Sequence, residues 1–272
     1  MELSAGYDNR WGDFRWGTNF TFSWNRNEIV ELVHNYTHPE TGELITKDRL
    51  EIKGLGKAKY ILKPGGTMGD LYTNSNLKYS EKGYVEFDDR GNVTILDNCP
   101  DILLGSVLPD ANLAWRNDFS WKGVNLGVLF TVRLGGICYS ATQAWMDQFG
   151  VSEATAAARD AGGALVNGRS MADPQKWYQA ISAQSGLPQY YTYSATNVRL
   201  QELSLGYELP RRWFGDVCSV EVSLVGRNLW MIYCKAPFDP EAVASTGTFY
   251  QGIDYFMMPS LRSIGFNVKL TF

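Results

Sequence analysis

Two histidines four residues apart, His34 and His38, with Glu40 just beyond, have the spacing by which a helix presents metal ligands on one face. The stretch that carries them, HNYTHPETGEL, also contains Pro39 and Gly42 and reads as a turn, where that spacing loses its meaning. Asp239, Glu241 and Asp254 offer the oxygen ligands that Ca²⁺ takes. The Asp-Pro-Glu order favours a simpler role, a tight turn whose Asp accepts freed backbone N–H groups. Nothing in the spacing of these carboxylates marks the acid/base pair of a glycosidase. GLGKAK at 54–59 lacks the last glycine of a dinucleotide loop, SNLK at 75–78 is too short a pattern to mark a nucleophile, and G-x-S-x-G is absent. The expectation is a protein without catalytic residues, metal or cofactor, and not an enzyme.

Aromatic residues hold more promise. Trp145, Trp177, Tyr178, Tyr190, Tyr191 and Tyr193 crowd residues 135–196. Rings presented by a loop stack on sugar faces or on peptide side chains, and Trp145, Trp177, Tyr190, Tyr191 and Tyr193 are the candidate substrate contacts. The competing use of the same rings is to pack the loop's own helices.

The elements that must position these groups are strands. In residues 262–272, RSIGFNVKLTF, Ile264, Phe266, Val268, Leu270 and Phe272 alternate with Ser263, Gly265, Asn267, Lys269 and Thr271, so one face is apolar and the other polar. Six further stretches repeat the pattern. Leu3, Ala5 and Tyr7 lead through a turn at 10–13 to Phe14, Trp16, Phe20, Phe22 and Trp24. Leu113, Trp115, Phe119 and Trp121 lead through Lys122-Gly123 to Val124, Leu126, Val128, Phe130, Val132 and Leu134, with Arg116, Asp118, Gly127, Thr131 and Arg133 on the polar face. Leu203, Leu205, Tyr207 and Leu209 lead through PRRWFGD, residues 210–216, to Val220, Val222 and Leu224. The best-defined arms run about 11 residues, which is what a tilted strand needs to cross a bilayer.

Seven strands follow, joined by short links at 10–13, 122–124 and 210–216 and long ones at about 27–107, 135–196 and 233–261. Soluble domains seldom hold even one structureless loop beyond ~15 residues. Outer-membrane barrels pair short periplasmic turns with long extracellular loops. The predicted fold is therefore all-β, an antiparallel transmembrane sheet belonging to a large barrel. A soluble β-rich carbohydrate-binding module is the competing class, and the alternating links oppose it. Inside the loops, residues 84–96 predict a small hairpin turning at Arg90-Gly91-Asn92. Ser152 and Asp173 predict helix N-caps, with Pro174 opening the second helix and Gly162 and Gly186 as stops.

Composition agrees. The net charge of −4 and a pI near 5.3 leave no basic footprint, so nucleic acid is not an expected partner. Mean hydropathy is −0.24, and no run reaches the ~18–20 apolar residues of a spanning helix. Nine Trp and fifteen Tyr suit interfacial girdles of a barrel and also a sugar binder. Cys99, Cys138, Cys218 and Cys234 follow no metal-ligand spacing, and the even count leaves disulfides open. MELSAGYDNR has neither basic nor apolar signal-peptide regions, which implies a cytoplasmic chain or one lacking its true beginning.

Three ordered stretches resemble a known family. VRLQELSLGYELP (198–210), GRNLWMIYCKAPFDPE (226–241) and MPSLRSIGFNVKLTF (258–272) are similar to the closing strands of SusC/RagA-type TonB-dependent transporters of Bacteroidetes outer membranes. Weaker similarity runs through PDANLAWRNDFSWKGVNLGVLF and FTFSWNRNEIVEL. Cys234-Lys235-Ala236-Pro237 departs from the family's pattern at one turn. The resemblance implies that residues 1–272 form a single domain, the C-terminal part of a plugged barrel of about 22 strands. It places a signal peptide, TonB box and plug upstream of residue 1. It further implies outer-membrane localisation, with nutrient import powered by TonB-ExbB-ExbD through that plug and a SusD-like surface lipoprotein as partner. Phe272 is then the aromatic terminus read by the barrel-assembly machinery. A siderophore or cobalamin receptor of the same barrel type is the nearest alternative.

Overall fold

The computed structural model describes residues 1–168, 170–183, 186–215, 217–247 and 250–272. Seven long strands dominate it: β1 (Glu2–Trp11), β2 (Phe14–Trp24), β3 (Ala111–Trp121), β4 (Val124–Leu134), β5 (Asn197–Leu209), β6 (Ser219–Cys234) and β7 (Ser263–Thr271). Each pairs antiparallel with the next in chain order, giving one seven-stranded meander with β1 and β7 at its edges. Among the described residues no helix is long and apolar enough to cross a membrane.

Register turns the alternation into continuous rows. Trp11, Phe14, Trp121, Val124, Tyr207, Val222 and Val268 lie side by side across all seven strands. One residue along, Arg10, Arg15, Ser120, Asn125, Gly206, Ser223 and Asn267 form the equivalent polar row. A slip of one residue in any strand would exchange its faces, so keeping one face apolar throughout is enough to fix every register.

Aromatic rings tighten the short-turn end. Trp16 stacks on Phe119 at 6.4 Å between centroids, and Trp11 on Phe14 at 6.1 Å. Three polar residues, Asn9, Thr18 and Asn117, interrupt the apolar face, and each has an aromatic partner. Asn9 Nδ2 donates to the Tyr7 hydroxyl (2.8 Å). Trp16 Nε1 donates to Asn117 Oδ1 (3.1 Å), and Trp115 Nε1 donates to Thr18 Oγ1 (3.0 Å). A surface set toward hydrocarbon would require this, since lipid supplies no hydrogen bonds.

Short turns close one end. Lys122 and Gly123 have φ of +45° and +85°, the doubly left-handed pattern whose twist matches a two-residue hairpin. The link after β5 is a single 3₁₀ turn, Arg211–Phe214, ending on Gly215 at φ +62°. Asp216, the last residue expected in that link, lies outside the described residues.

The long links fold. The first carries a four-stranded sheet in the order Ile102–Ser106, Asp70–Thr73, Lys59–Leu62, Leu50–Lys53. The second holds α1 (Ala141–Gln148), α2 (Glu153–Asp160), α3 (Pro174–Ser182) and α4 (Pro188–Tyr191). Ser152 and Asp173 cap α2 and α3 as expected, accepting the N–H groups of Thr155 (3.1 Å) and Lys176 (2.9 Å). α3 ends at Ser182, ahead of the expected stop at Gly186; Gln184 and Ser185 lie outside the described residues. α1, capped by Ser140, was not legible from the sequence. The hairpin at 84–96 is present only as a narrow turn, with Phe87 bridging Val93 and Asp88 accepting the N–H groups of Arg90 and Asn92. Ile137–Ser140 pairs with Thr192–Ser194 on one side and Ile253–Asp254 on the other, tying the second loop to the third. The hydrophobic core lies entirely in these loops, around Tyr60, Leu71, Tyr139, Leu187, Tyr191 and Ile253.

Candidate functional site

The polar face of the sheet is a field of alternating charge. Arg15 pairs with Asp8 (2.9 Å), Arg116 with Asp118 (3.0 Å) and Glu202 (3.4 Å), and Arg227 with Glu202 (3.1 Å). Asn125 Nδ2 donates to Glu221 (2.9 Å). Exposed pairs of this kind are worth only about 0–1 kcal/mol each. Their effect is to keep a wet, nearly neutral surface on one side of a sheet whose other side is apolar.

At the loop end of this face a groove of about 780 Å³ opens, its polar lining drawn from Glu2, Ser4, Thr21, Ser23, Asn112, Thr131, Arg133, Gln201 and Glu241. Gln201 reaches it because the β4–β5 register shifts between Leu129 and Phe130, leaving Gln201 as the extra residue of a bulge. Bulges commonly re-aim side chains beside functional sites.

Beside the groove, Arg199 ties β5 to the third loop. The residue is 2% exposed, and its guanidinium makes a two-pronged contact with Asp239. It also donates to Asn197 Oδ1 (3.1 Å), Asn228 Oδ1 (3.3 Å) and Ser260 Oγ (3.2 Å), with Glu241 at 3.4 Å. Asn228 takes φ +51° where the β5–β6 register shifts, a conformation that Asn tolerates. Burial alone would raise the Asp239 carboxyl, but Arg199 and Ser260 bond its charged form and hold it below the usual range. The turn expected at Asp-Pro-Glu is there, since Asp239 accepts the Glu241 N–H (3.0 Å). The ion pair with Arg199 was not foreseen, because the two partners lie 40 residues apart.

The five candidate aromatics divide. Trp177 and Tyr191 are buried in the core of the loop cap, Trp177 edge-on to Tyr190 at 5.9 Å. Tyr191 donates its hydroxyl to Asp147 Oδ2 (3.0 Å), and burial, reinforced by that carboxylate, pushes the phenol far above its ordinary pKa. These two rings hold the cap together, which corrects their reading as surface contacts for a substrate. Trp145, Tyr190 and Tyr193 are half-buried. Tyr193 packs edge-on against Phe238 (5.5 Å), and burial raises it to about 12. Trp145 stacks on exposed Phe149 (5.9 Å) beside a cleft of about 230 Å³ that includes Gln148, Arg159 and Tyr178. Phe149, Arg159 and Gln148 went unremarked in the sequence because only the fold brings α1 and α2 to one cleft beside α3.

His34 and His38 lie on a hairpin, Val33–Thr37 against Leu44–Lys47, where His38 Nδ1 accepts the N–H groups of Glu40 and Thr41. The four cysteines are free thiols, and burial pushes Cys138 up to about 12. Phe272 follows β7 and is 90% exposed, covering no core.

A two-faced antiparallel meander, tight turns at one end and folded loops at the other, is the architecture of a segment of a large antiparallel β-barrel wall. No family model matches the chain. By sequence it is 25% identical over 285 residues to TonB-dependent receptor P3 of Formosa agariphila and 24% identical over 297 residues to TonB-dependent receptor P39 of the same organism. Each match covers 94% of this chain but only 27% and 28% of the relative, so the chain spans under a third of their length. By fold it superposes along its whole length on 29% of a chain of the RagAB peptide transporter, with TM-score 0.61 and 16% identity. The closed-closed state of the RagAB peptide importer gives TM-score 0.57 at 18% identity. The resemblance to SusC/RagA-type TonB-dependent receptors, read from three motifs, thus stands on both sequence and fold.

Proposed function

We propose that residues 1–272 are the C-terminal part of the barrel of an outer-membrane transporter that imports oligosaccharides or peptides. The observation that carries this is the pairing of one continuous apolar face with strictly alternating short turns and folded loops, on a chain whose relatives are TonB-dependent receptors. An apolar face across all seven strands has a favourable partner in lipid, and the opposite face suits a wet lumen or plug. Energy would come from TonB-ExbB-ExbD through a plug domain, a SusD-like lipoprotein would close over the loops, and Phe272 would serve the barrel-assembly machinery. Half-buried Trp145, Tyr190 and Tyr193 are the loop aromatics within reach of a ligand. The similarity in fold to a structure named as a peptide transporter supports this reading over a siderophore or cobalamin receptor.

The test is uptake by cells expressing the full-length protein, with and without TonB. TonB-dependent accumulation of a labelled oligosaccharide or peptide is expected. Accumulation indifferent to TonB, or a protein recovered in the soluble fraction, would sink the reading.

A further inference from the structure

Arg133 is an anomaly on the polar face. It closes β4 at the loop end, and its guanidinium is partly buried. The other two arginines of this face that are at least partly buried, Arg116 and Arg199, have carboxylate partners. Arg133 has none among the described residues. Its cross-strand neighbours are neutral amides, Asn112 on β3 and Asn197 on β5. Its Nη2 donates to the backbone carbonyl of Val107 (2.9 Å), while its Nε is buried with no partner. The charge of Glu241 reaches Arg133 only at a distance; a desolvated cation with no carboxylate in direct contact is costly, and an unpartnered buried N–H calls for a reason.

The groove of about 780 Å³ supplies one, because Arg133 lines it. The bulge aims Gln201 into the same space, and Asn112 and Thr131 add neutral hydrogen-bonding groups. Glu241 lines it too but is held by Arg199 and by Asn197 Nδ2 (3.2 Å). We propose that this groove is a substrate subsite in which Arg133 recognises a carboxylate. A planar guanidinium is the side chain best matched to that group. Glu241 and Glu2 on other parts of the lining favour ligands that also carry donors, hydroxyl or amide N–H. Both acidic oligosaccharides and peptides with a free carboxyl have this chemistry. The proposal rests on the import reading above and narrows it to carboxylate-bearing substrates.

The experiment measures binding to the full-length receptor in detergent with two matched pairs of probes. One pair is N-acetyl tetra-alanine as free acid and as C-terminal amide. The other is tri-galacturonate and its methyl ester. In at least one pair the acid should bind about tenfold or more tightly than its neutral twin, the gain typical of a charge-assisted hydrogen bond. Arg133→Gln should abolish that preference and Arg133→Lys should restore part of it. The pair that responds identifies peptide or uronate as the source. The proposal is overturned by twins that bind the native receptor alike, by a preference that survives Arg133→Gln, or by no binding of any probe. It is also overturned if Arg133→Gln lowers the heat stability of the folded barrel without changing discrimination, because the partner carboxylate then belongs to the protein itself. TonB-dependent uptake of both twins without preference would defeat this inference alone; absence of uptake of either would defeat the import reading.

Discussion

Ile264, Phe266, Val268 and Leu270 on β7 are 48–70% exposed, and Leu205 and Leu224 on the strands behind them exceed half. In the loops, Tyr139, Ala141, Leu187 and Ile253 are fully buried. One chain thus carries two regions built for different solvents. The cap buries its apolar side chains against one another and is stabilised as a water-soluble domain is. The sheet leaves its apolar side chains outward and, on the proposed function, relies on lipid to cover them, with backbone ladders, aromatic stacks and polar-face ion pairs within itself. Mutations should therefore act through different physics in the two regions.

Arg199→Ala, at the seam between them, should have the largest effect. Removing one partner of a buried ion pair leaves Asp239 uncompensated, at a cost of about 3–5 kcal/mol. Limited proteolysis of the full-length protein in outer membranes should then cut within residues 235–262, where the native protein resists. The pH dependence has a definite sign. Because the folded Asp239 carboxyl lies below its ordinary value, the stability it contributes is fully present above the unfolded pKa of about 3.9 and is lost as pH falls through the depressed value. Resistance should persist down to about pH 4 and fail below it; release of the loop between about pH 5 and 7 would remove Asp239 from the latch.

Val128→Lys tests the sheet's outer face. Val128 lies at mid-strand between Asn117 and Leu203. A lysine there should cost about 2–4 kcal/mol and block assembly, read as loss of heat-modifiable gel mobility. Thr131→Lys, on the polar face, should retain it. The reverse result would mean that the inside–outside assignment of this hairpin is inverted. Trp16→Phe is a subtler probe of the same face. It keeps the ring but leaves Asn117 Oδ1 without its donor, at a cost of about 1–3 kcal/mol. If the face met water instead of lipid, the substitution would be nearly silent.

Legibility in the sequence followed the same division. All seven strands and the alternation of links could be read because a period of two is imposed by two-sided surroundings and extends over about ten residues. Asn117 and Thr18 broke that period, and their indole partners are visible only once β2 lies beside β3. In the loops, caps were legible at Ser152 and Asp173, where a side chain bonds three residues ahead. The four-stranded sheet and the burial of Trp177 and Tyr191 were not, since they depend on contacts between segments far apart in the chain. The groove was missed for the same reason. Arg133 could be placed on the polar face, but its lack of a partner is a fact about its neighbours.

The smallest expected effect lies wholly within the cap. Ser152 Oγ accepts the Thr155 N–H at 3.1 Å and opens α2, which packs against α3 and the strand Ala164–Val166. Ser152→Ala removes that acceptor and should cost about 1 kcal/mol of cap stability. Ser152→Asp should keep the cap and add a favourable charge at the helix N-terminus. Since the cap owes nothing to lipid, Ser152→Ala should speed hydrogen exchange in α2 and leave barrel mobility on gels unchanged. Val128→Lys reverses that pair of readouts. Should Ser152→Ala disturb insertion as Val128→Lys does, the two regions would fold as one cooperative unit, and their separate responses to water and lipid would no longer hold.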